Sequence, residues 1–287
     1  LLTVDSCVEN VHFRREWFSP AMLGRRAFRV AASDLSAMGG SPRFVLLSIA
    51  APGTLDSAYA RRVVKGLIAD AAAVGAFLVG GNVAGANDLA FHVTVVGSAK
   101  AKPILRSGAK PGDAVWVTGT LGDAAAGIAM LEAGASRGRL VSAYRTPPLR
   151  VDTACRLAST GAVTSMIDVS DGFAQDLGHV CRASSVRASI DLARLPVSAA
   201  LRRACRSGLL AGDANSYALT GGEAYELIFT SAGDAKTEGR IRRACEESGC
   251  MVTRVGAMRR PGKEPPGAYA RDGRALRGGF SHYGKKR

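Results

Sequence analysis

One carboxylate stands where a core side chain belongs. In residues 20–38 the apolar stripe of a helix runs through Leu23, Ala27, Val30, Ala31, Leu35 and Met38. Asp34 follows Ala27 by seven, Val30 by four and Ala31 by three, so it lies on that stripe and not on the wet face. An unpaired buried carboxylate is very costly. Asp34 therefore needs a cation, a metal or several donors. Two readings compete: an arginine partner, such as Arg29 or Arg43, and a metal ion in a cleft.

Three more aspartates have a similar look. Asp5 sits among Val4, Cys7 and Val8, where a strand-end carboxylate also serves as a turn or cap residue. Asp168 and Asp171 flank Ser170 directly after an apolar run at 163–167. Two carboxylates and a hydroxyl at the C-terminal end of a strand occupy the place where α/β ligand sites gather. The local alternative is an Asx turn with a helix N-cap. Mg2+ takes oxygen ligands and bridges carboxylates to substrate phosphates. Four aspartates in Gly-flanked loops suit it better than zinc.

Glycine clusters at 80–81, 119/122 and 221–222 would let backbone N–H groups approach a phosphate. None is a Walker A loop, because no Gly-Lys-Ser/Thr follows a strand. His12 is placed to donate to a phosphate, with structural packing as the alternative. Glu223 and Glu226 flank Tyr225, and a period of two turns them to opposite faces, so one of them can point into a cleft.

The elements that must position these residues alternate. Strands are expected at 4–13, 43–50, 76–79 and 89–99, with the third ending in Gly80-Gly81-Asn82. Helices are expected at 20–38, where Ser19-Pro20 is a start signal, and at 55–74. A break at 100–103 reads as a domain boundary. Beyond it come a strand at 114–118, an Ala-rich helix after Gly122, a helix at 147–159, a strand at 163–167 and a helix to about Arg182. A strand at 187–192, a helix near 197–206, an interrupted strand at 217–230, a helix at 234–248, a strand at 251–256 and a Gly/Arg-rich hairpin follow. Two α+β domains, 1–103 and 104–287, account for this order better than one doubly wound sheet.

Composition narrows the function classes. The chain has 287 residues, 47% hydrophobic and 22% charged, so a packed core is expected and wholesale disorder is not. No apolar run approaches the roughly 20 residues of a membrane span, and none reads as a signal peptide. The chain opens without Met, in strand-like sequence, which reads as a fragment whose start is missing. Cys7, Cys155, Cys181, Cys205, Cys245 and Cys250 form no C-x-x-C pair, which points to reduced cytoplasmic thiols. The net charge of +14 sits mostly in residues 240–287, which carry 13 basic and 4 acidic side chains. No regular run of aromatic residues interleaves those charges as a nucleic-acid stacking platform requires, so a solvated Arg-rich face is expected and a nucleic-acid partner is not.

Seven stretches in order resemble the thiamine-monophosphate kinase family of the AIR-synthetase-like (PurM-like) ATP-binding superfamily. They are Thr3-Val4-Asp5…Val11-His12-Phe13, Ser33-Asp34-Leu35-Ser36-Ala37-Met38-Gly39, Gly80-Gly81-Asn82, Arg106-Ser107-Gly108-Ala109-Lys110-Pro111-Gly112-Asp113, Asp168-Val169-Ser170-Asp171-Gly172, Gly221-Gly222-Glu223-Ala224-Tyr225-Glu226-Leu227 and Gly279-Phe280-Ser281-His282-Tyr283. The resemblance implies a two-domain PurM-like fold with mixed sheets packed by helices, a homodimer through the N-terminal domain, and nucleotide between the domains. It implies that ATP phosphorylates thiamine phosphate to thiamine diphosphate, with several Mg2+ ions. Carried over by motif, Asp5, Asp34, Asp168 and Asp171 would hold Mg2+, with Thr3 and Asn82 as further ligands. Gly81, Asn82, Arg106 and Ser170 would contact ATP, and His12, Glu223 and Phe280 would contact thiamine phosphate. No residue would serve as covalent nucleophile or general base. Asn82 and Ala224 stand where the family usually has Asp, Asn10 where it has Gly, and Ala32 where it has Asn. The family's upstream Gly-Asp-Asp is absent. The alternatives are a related superfamily enzyme with another small acceptor and a weakened nucleotide-binding homologue.

Overall fold

Alternating and helical patterns in the first hundred residues build one sheet with two helices on its face. A computed structural model describes residues 1–280. Its first half contains β1 (Leu2–Val8), α1 (Pro20–Ala37), β2 (Ser41–Ala51), α2 (Ser57–Ala73), β3 (Phe77–Gly85) and β4 (Ala90–Ser98). Ser19 caps α1 by accepting from the Met22 N–H, with Pro20 at the first helical position, and Asp56 caps α2 through the Ala58 N–H. The strands lie in the order β1-β4-β2-β3. Only β2 and β3 run parallel; the other two pairings are antiparallel.

The helices α1 and α2 pack closely because two glycines meet at their crossing. A Cβ on Gly24 would lie 1.8 Å from the Val63 carbonyl oxygen, and one on Gly66 would lie 2.0 Å from that of Ala21. Leu23, Ala27, Val30, Ala31 and Leu35 of α1 are buried, as their spacing predicts.

The second half contains β5 (Ala114–Thr118), α3 (Asp123–Glu132), α4 (Arg139–Arg145), α5 (Val151–Ser159), β6 (Val163–Asp168), α6 (Phe173–Ala183) and β7 (Arg187–Ile190). It continues with α7 (Ala199–Arg206), α8 (Ala214–Thr220), β8 (Leu227–Ser231), α9 (Ala235–Glu247), β9 (Val252–Arg259) and β10 (Gly267–Ala270). Six strands form a mixed sheet in the order β10-β7-β9-β5-β8-β6. The two halves share a core: Ala124 and Leu131 of α3 and Val141 and Tyr144 of α4 join the cluster built on α1 and the first sheet. Among the described residues no helix is long and apolar enough to cross a membrane.

Four sequence expectations are corrected. The first strand stops at Val8, not at residue 13, because residues 9–13 turn back: the His12 and Val11 N–H groups both bond the Val8 carbonyl. Asn10 takes φ +63° in that turn. Asn tolerates the left-handed region far better than most side chains, which explains how it serves where the resemblance implies Gly. Gly80-Gly81-Asn82 does not end its strand but continues as β3, in register with Leu46, Leu47 and Ser48. The interrupted strand at 217–230 is helix α8, a connection at 221–226 and strand β8. The helix expected from 147 begins at Val151, and α4 precedes it unannounced.

Candidate active site

Alternation along β1 turns Thr3, Asp5 and Cys7 inward toward α1, while Leu2 and Val4 face outward. The Thr3 Oγ1 hydroxyl donates to Asp34 Oδ2 at 2.6 Å. One residue earlier on α1, Ser33 Oγ donates to Asp168 Oδ2 at the end of β6, also at 2.6 Å. Consecutive residues of one helix thus reach both sheets. Of the two arginines expected as partners, Arg29 pairs with Asp70 and donates to the Pro147 carbonyl, and Arg43 is exposed on β2.

These carboxylates crowd one another. Burial pushes Asp168 up to about 7, and the nearby charge of Asp34 adds to it, against the Ser33 hydrogen bond. Burial pushes Asp5 up to about 6; the Ser6 N–H opposes this, and the charges of Asp34 and Glu223 reinforce it. Asp5 and Asp168, buried beside further carboxylates, offer oxygen donors that fit a hard divalent cation, which prefers oxygen ligands and relieves the repulsion. Among the described residues the acidic and histidine groups whose ligand atoms all lie within 4.8 Å of one another are Asp171, Asp176 and His179. Asp5, Asp34, Asp168 and Asp171 do not close to that degree.

Asp176 escaped the sequence reading. It is buried on α6, and its Oδ2 accepts from the Asp171 and Gly172 N–H groups at 3.1 and 3.0 Å. It thereby shapes the turn that carries Asp171. A carboxylate one helical turn after Asp-Gly was the available signal. Burial pushes it up to about 7, with Asp168 adding to the shift.

Between the two halves lies a cavity of about 440 Å³. Asp5, His12, Ser170, Asp171, Glu223 and Phe280 all line it, joined by Arg26, Trp17 and Tyr144. The His12 ring accepts the Val8 N–H at Nδ1, 3.1 Å away. In the neutral ring this puts the proton on Nε2, the donor end. Tyr144 Oη donates to the His12 carbonyl at 2.6 Å and so braces the loop that carries the ring. Phe280 joins the wall as its N–H bonds the Asp171 carbonyl at 2.9 Å and its carbonyl accepts from Gln175 at 3.0 Å. Ser281, His282 and Tyr283 of the same motif lie outside the described residues.

The 221–226 connection separates the two glutamates. Glu223 lines the cavity and pairs with Arg26. Glu226 is locked away from it, accepting from Thr118 at 2.6 Å and from Arg150 Nε and Nη2 at 2.7 and 2.6 Å. Gly222 permits the approach, because a Cβ there would lie 2.5 Å from the Ser170 carbonyl oxygen. Ala224 is buried and donates nothing to the cavity.

Arg26 and Tyr144 were also missed. Arg26 follows Leu23 by three and precedes Val30 by four, the same arithmetic that singled out Asp34. It is 1% exposed, with its guanidinium 4.3 Å above the Tyr144 ring centroid. Burial opposes its charge most strongly, but Glu223, Tyr144, Tyr225 and Cys7 together outweigh it and hold the guanidinium above its ordinary value. Tyr144 had no signal, since α4 spans only seven residues.

Other expected groups lie elsewhere. Arg106 is exposed, and its charge reaches Asp168 and His179. Gly81 and Asn82 are not brought to this cavity within one chain. Gly81 shares a row with Leu47, Val93 and Asp5, so it is three strands, or roughly 14 Å, from Asp5. The 119–122 turn is occupied by the protein itself: the Gly119 and Leu121 N–H groups bond the Met251 and Pro196 carbonyls.

Comparison with known proteins gives a consistent result. The family profile for the AIR synthase related protein N-terminal domain matches residues 1–99, and that for the C-terminal domain matches residues 110–264. Thiamine-monophosphate kinase of Bacillus subtilis (strain 168) is 32% identical over 268 residues, covering 90% of this chain and 80% of the relative. The solved structure described as AaThiL complexed with AMPPCP and TMP superimposes with a TM-score of 0.87 at 28% identity, covering 98% of this chain and 86% of that one. Thiamine-monophosphate kinase of Stenotrophomonas maltophilia K279a superimposes with a TM-score of 0.85 at 31% identity, covering 96% and 85%.

Proposed function

The chain belongs to the thiamine-monophosphate kinase family of AIR synthase related proteins, and on that premise we propose how its cleft transfers the γ-phosphoryl group of ATP to thiamine phosphate. The products are ADP and thiamine diphosphate. The observation that carries the site reading is one cavity between the halves that Asp5, His12, Ser170, Asp171, Glu223 and Phe280 line together.

The acceptor is itself a phosphate and is ionised at neutral pH, so no base has to create the nucleophile. Positioning and charge neutralisation then carry the reaction. Asp5, Asp34, Asp168 and Asp171 would hold Mg2+, with Thr3 beside Asp34. The chemistry that Mg2+ held there would supply is neutralisation of the negative charge on the phosphates. Ser170 and Arg106 would orient ATP from the C-terminal half. His12 would donate from Nε2 to the acceptor phosphate. Glu223 and the Phe280 ring would meet the cationic thiazolium and the pyrimidine. Gly81 and Asn82 of the same chain take no part in this reading.

We further propose a homodimer through the outer face of the first sheet. It is supported by exposed apolar side chains on three strands: Leu2 and Val4, Phe44 and Leu46, and Phe77 and Val79. Domain limits of 1–103 and 104–287 accord with the two sheets. A cytoplasmic setting accords with six free thiols.

The test is thiamine diphosphate formation, with ATP, Mg2+ and thiamine phosphate each omitted in turn. Product that requires all three is expected. Mg2+-dependent ATP binding without product would overturn the acceptor assignment.

A further inference from the structure

We propose that Arg26 is a positioning residue for acceptor recognition: its guanidinium holds the Glu223 carboxylate at the angle from which that carboxylate meets the cationic ring of the acceptor. The inference rests on the reading of Glu223 as an acceptor contact.

The two residues are 197 positions apart and come from different halves of the molecule. Arg26 Nη2 donates to Glu223 Oε2, and Nη1 donates to the Tyr144 carbonyl. One rigid, planar fork therefore engages two separate segments of the C-terminal half from helix α1. Its Nε is buried with no partner among the described residues. An apolar side chain would seal this position without that cost. The guanidinium is thus poorly explained as packing and well explained by what its fork holds.

Glu223 needs holding. Its backbone has φ +67°, and Tyr225 has φ +49°, both in the region that disfavours side chains with a Cβ. The main chain of this turn is fixed by the Glu223 N–H to the Ser170 carbonyl and the Tyr225 N–H to the Val169 carbonyl, each at 2.8 Å. Those bonds leave the three side-chain torsions of Glu223 open, and Arg26 closes them. A carboxylate accepts through two oxygens, and Arg26 engages only Oε2. Oε1 is then the atom presented to a ligand. Asp5 lines the same cavity, so without Arg26 the like charges would drive Glu223 away from it.

The test is a double-mutant cycle in steady-state kinetics with saturating Mg2+, using Arg26→Gln, Arg26→Lys, Glu223→Gln and the double variants. Arg26→Gln should raise KM for thiamine phosphate about tenfold while KM for ATP stays within about twofold, the scale of one lost charge-assisted hydrogen bond. Arg26→Lys should recover most of this, to about threefold above wild type, because an ammonium keeps the charge beside Glu223 but its donors share one nitrogen and do not span to the Tyr144 carbonyl as the fork does. In the Glu223→Gln background either Arg26 change should add nothing. Equal rises in both KM values, or the same rise in both backgrounds, would overturn the proposal. Should Arg26→Gln fail to fold, Arg26→Lys carries the same comparison. An unchanged KM in Glu223→Gln alone would sink the acceptor-contact reading itself. A raised KM there with none in the Arg26 variants would sink only this inference.

Discussion

Ser33 Oγ donates to Asp168 Oδ2 at 2.6 Å and so ties helix α1 of one half to the end of strand β6 in the other. The bond favours the ionised carboxylate at a position where burial and Asp34 oppose ionisation. Ser33→Ala should raise the Asp168 pKa further above about 7. At limiting Mg2+ the rising limb of the kcat/KM profile should move to higher pH, and activity at pH 7 should fall. A profile that superimposes on wild type would remove Asp168 from the metal-holding set.

Metal-free stability should fall as pH rises from about 4 to about 7. Asp5 and Asp168 carry folded pKa values of about 6 and 7 against an ordinary value of 3.8. Through that window the folded state binds more protons than the unfolded one, so raising pH favours unfolding. The melting temperature should be higher at pH 5 than at pH 8. Added Mg2+ should raise it more at pH 8, where the carboxylates are charged. Equal Mg2+ shifts at the two values would contradict the assignment.

Asp34→Asn should abolish most activity and leave the fold intact. Asn keeps an acceptor for Thr3 Oγ1 and removes one of the crowded charges. A loss of about a hundredfold or more in kcat is expected for a lost metal-holding carboxylate, with the melting temperature unchanged or raised. Circular dichroism and turnover on one preparation decide it, and wild-type turnover would refute the role.

Arg150→Met should cost stability. It strands Glu226, whose side chain is 6% exposed and which Arg150 grips through two nitrogens. Breaking a buried pair from one side costs about 3 kcal/mol. Urea denaturation should show this, and a loss below about 1 kcal/mol would mean that Glu226 finds another donor.

Phe44→Asp should yield a monomer. Phe44 is 49% exposed on β2, at the centre of the apolar outer face. A charge there would be desolvated by any partner sheet. Light scattering after size exclusion checks the mass, and a dimer that survives would place the interface elsewhere.

Periodicity and spacing were enough to put Asp34 on the apolar stripe and to place Asp168, Ser170 and Asp171 at or just past the end of a strand; the resemblance to one family ordered the motifs along two α+β halves. These are local properties: a helix repeat of 3.6 and a strand repeat of 2 state which face a residue occupies. They do not state what lies opposite that face. Only the packed structure decided that Asp34 meets Thr3, that Glu223 enters the cleft while Glu226 turns to Arg150, and that Arg26 reaches across the halves. The Gly80-Gly81-Asn82 run reads locally as a turn, yet pairing with β2 draws it into strand β3. Helix α4 is too short to imprint a period, and its Tyr144 is placed by Phe18, Trp17 and Arg26 from the other half. Pairing across tens to hundreds of residues depends on which surfaces close on each other, and that is settled by burial and hydrogen-bond satisfaction in three dimensions.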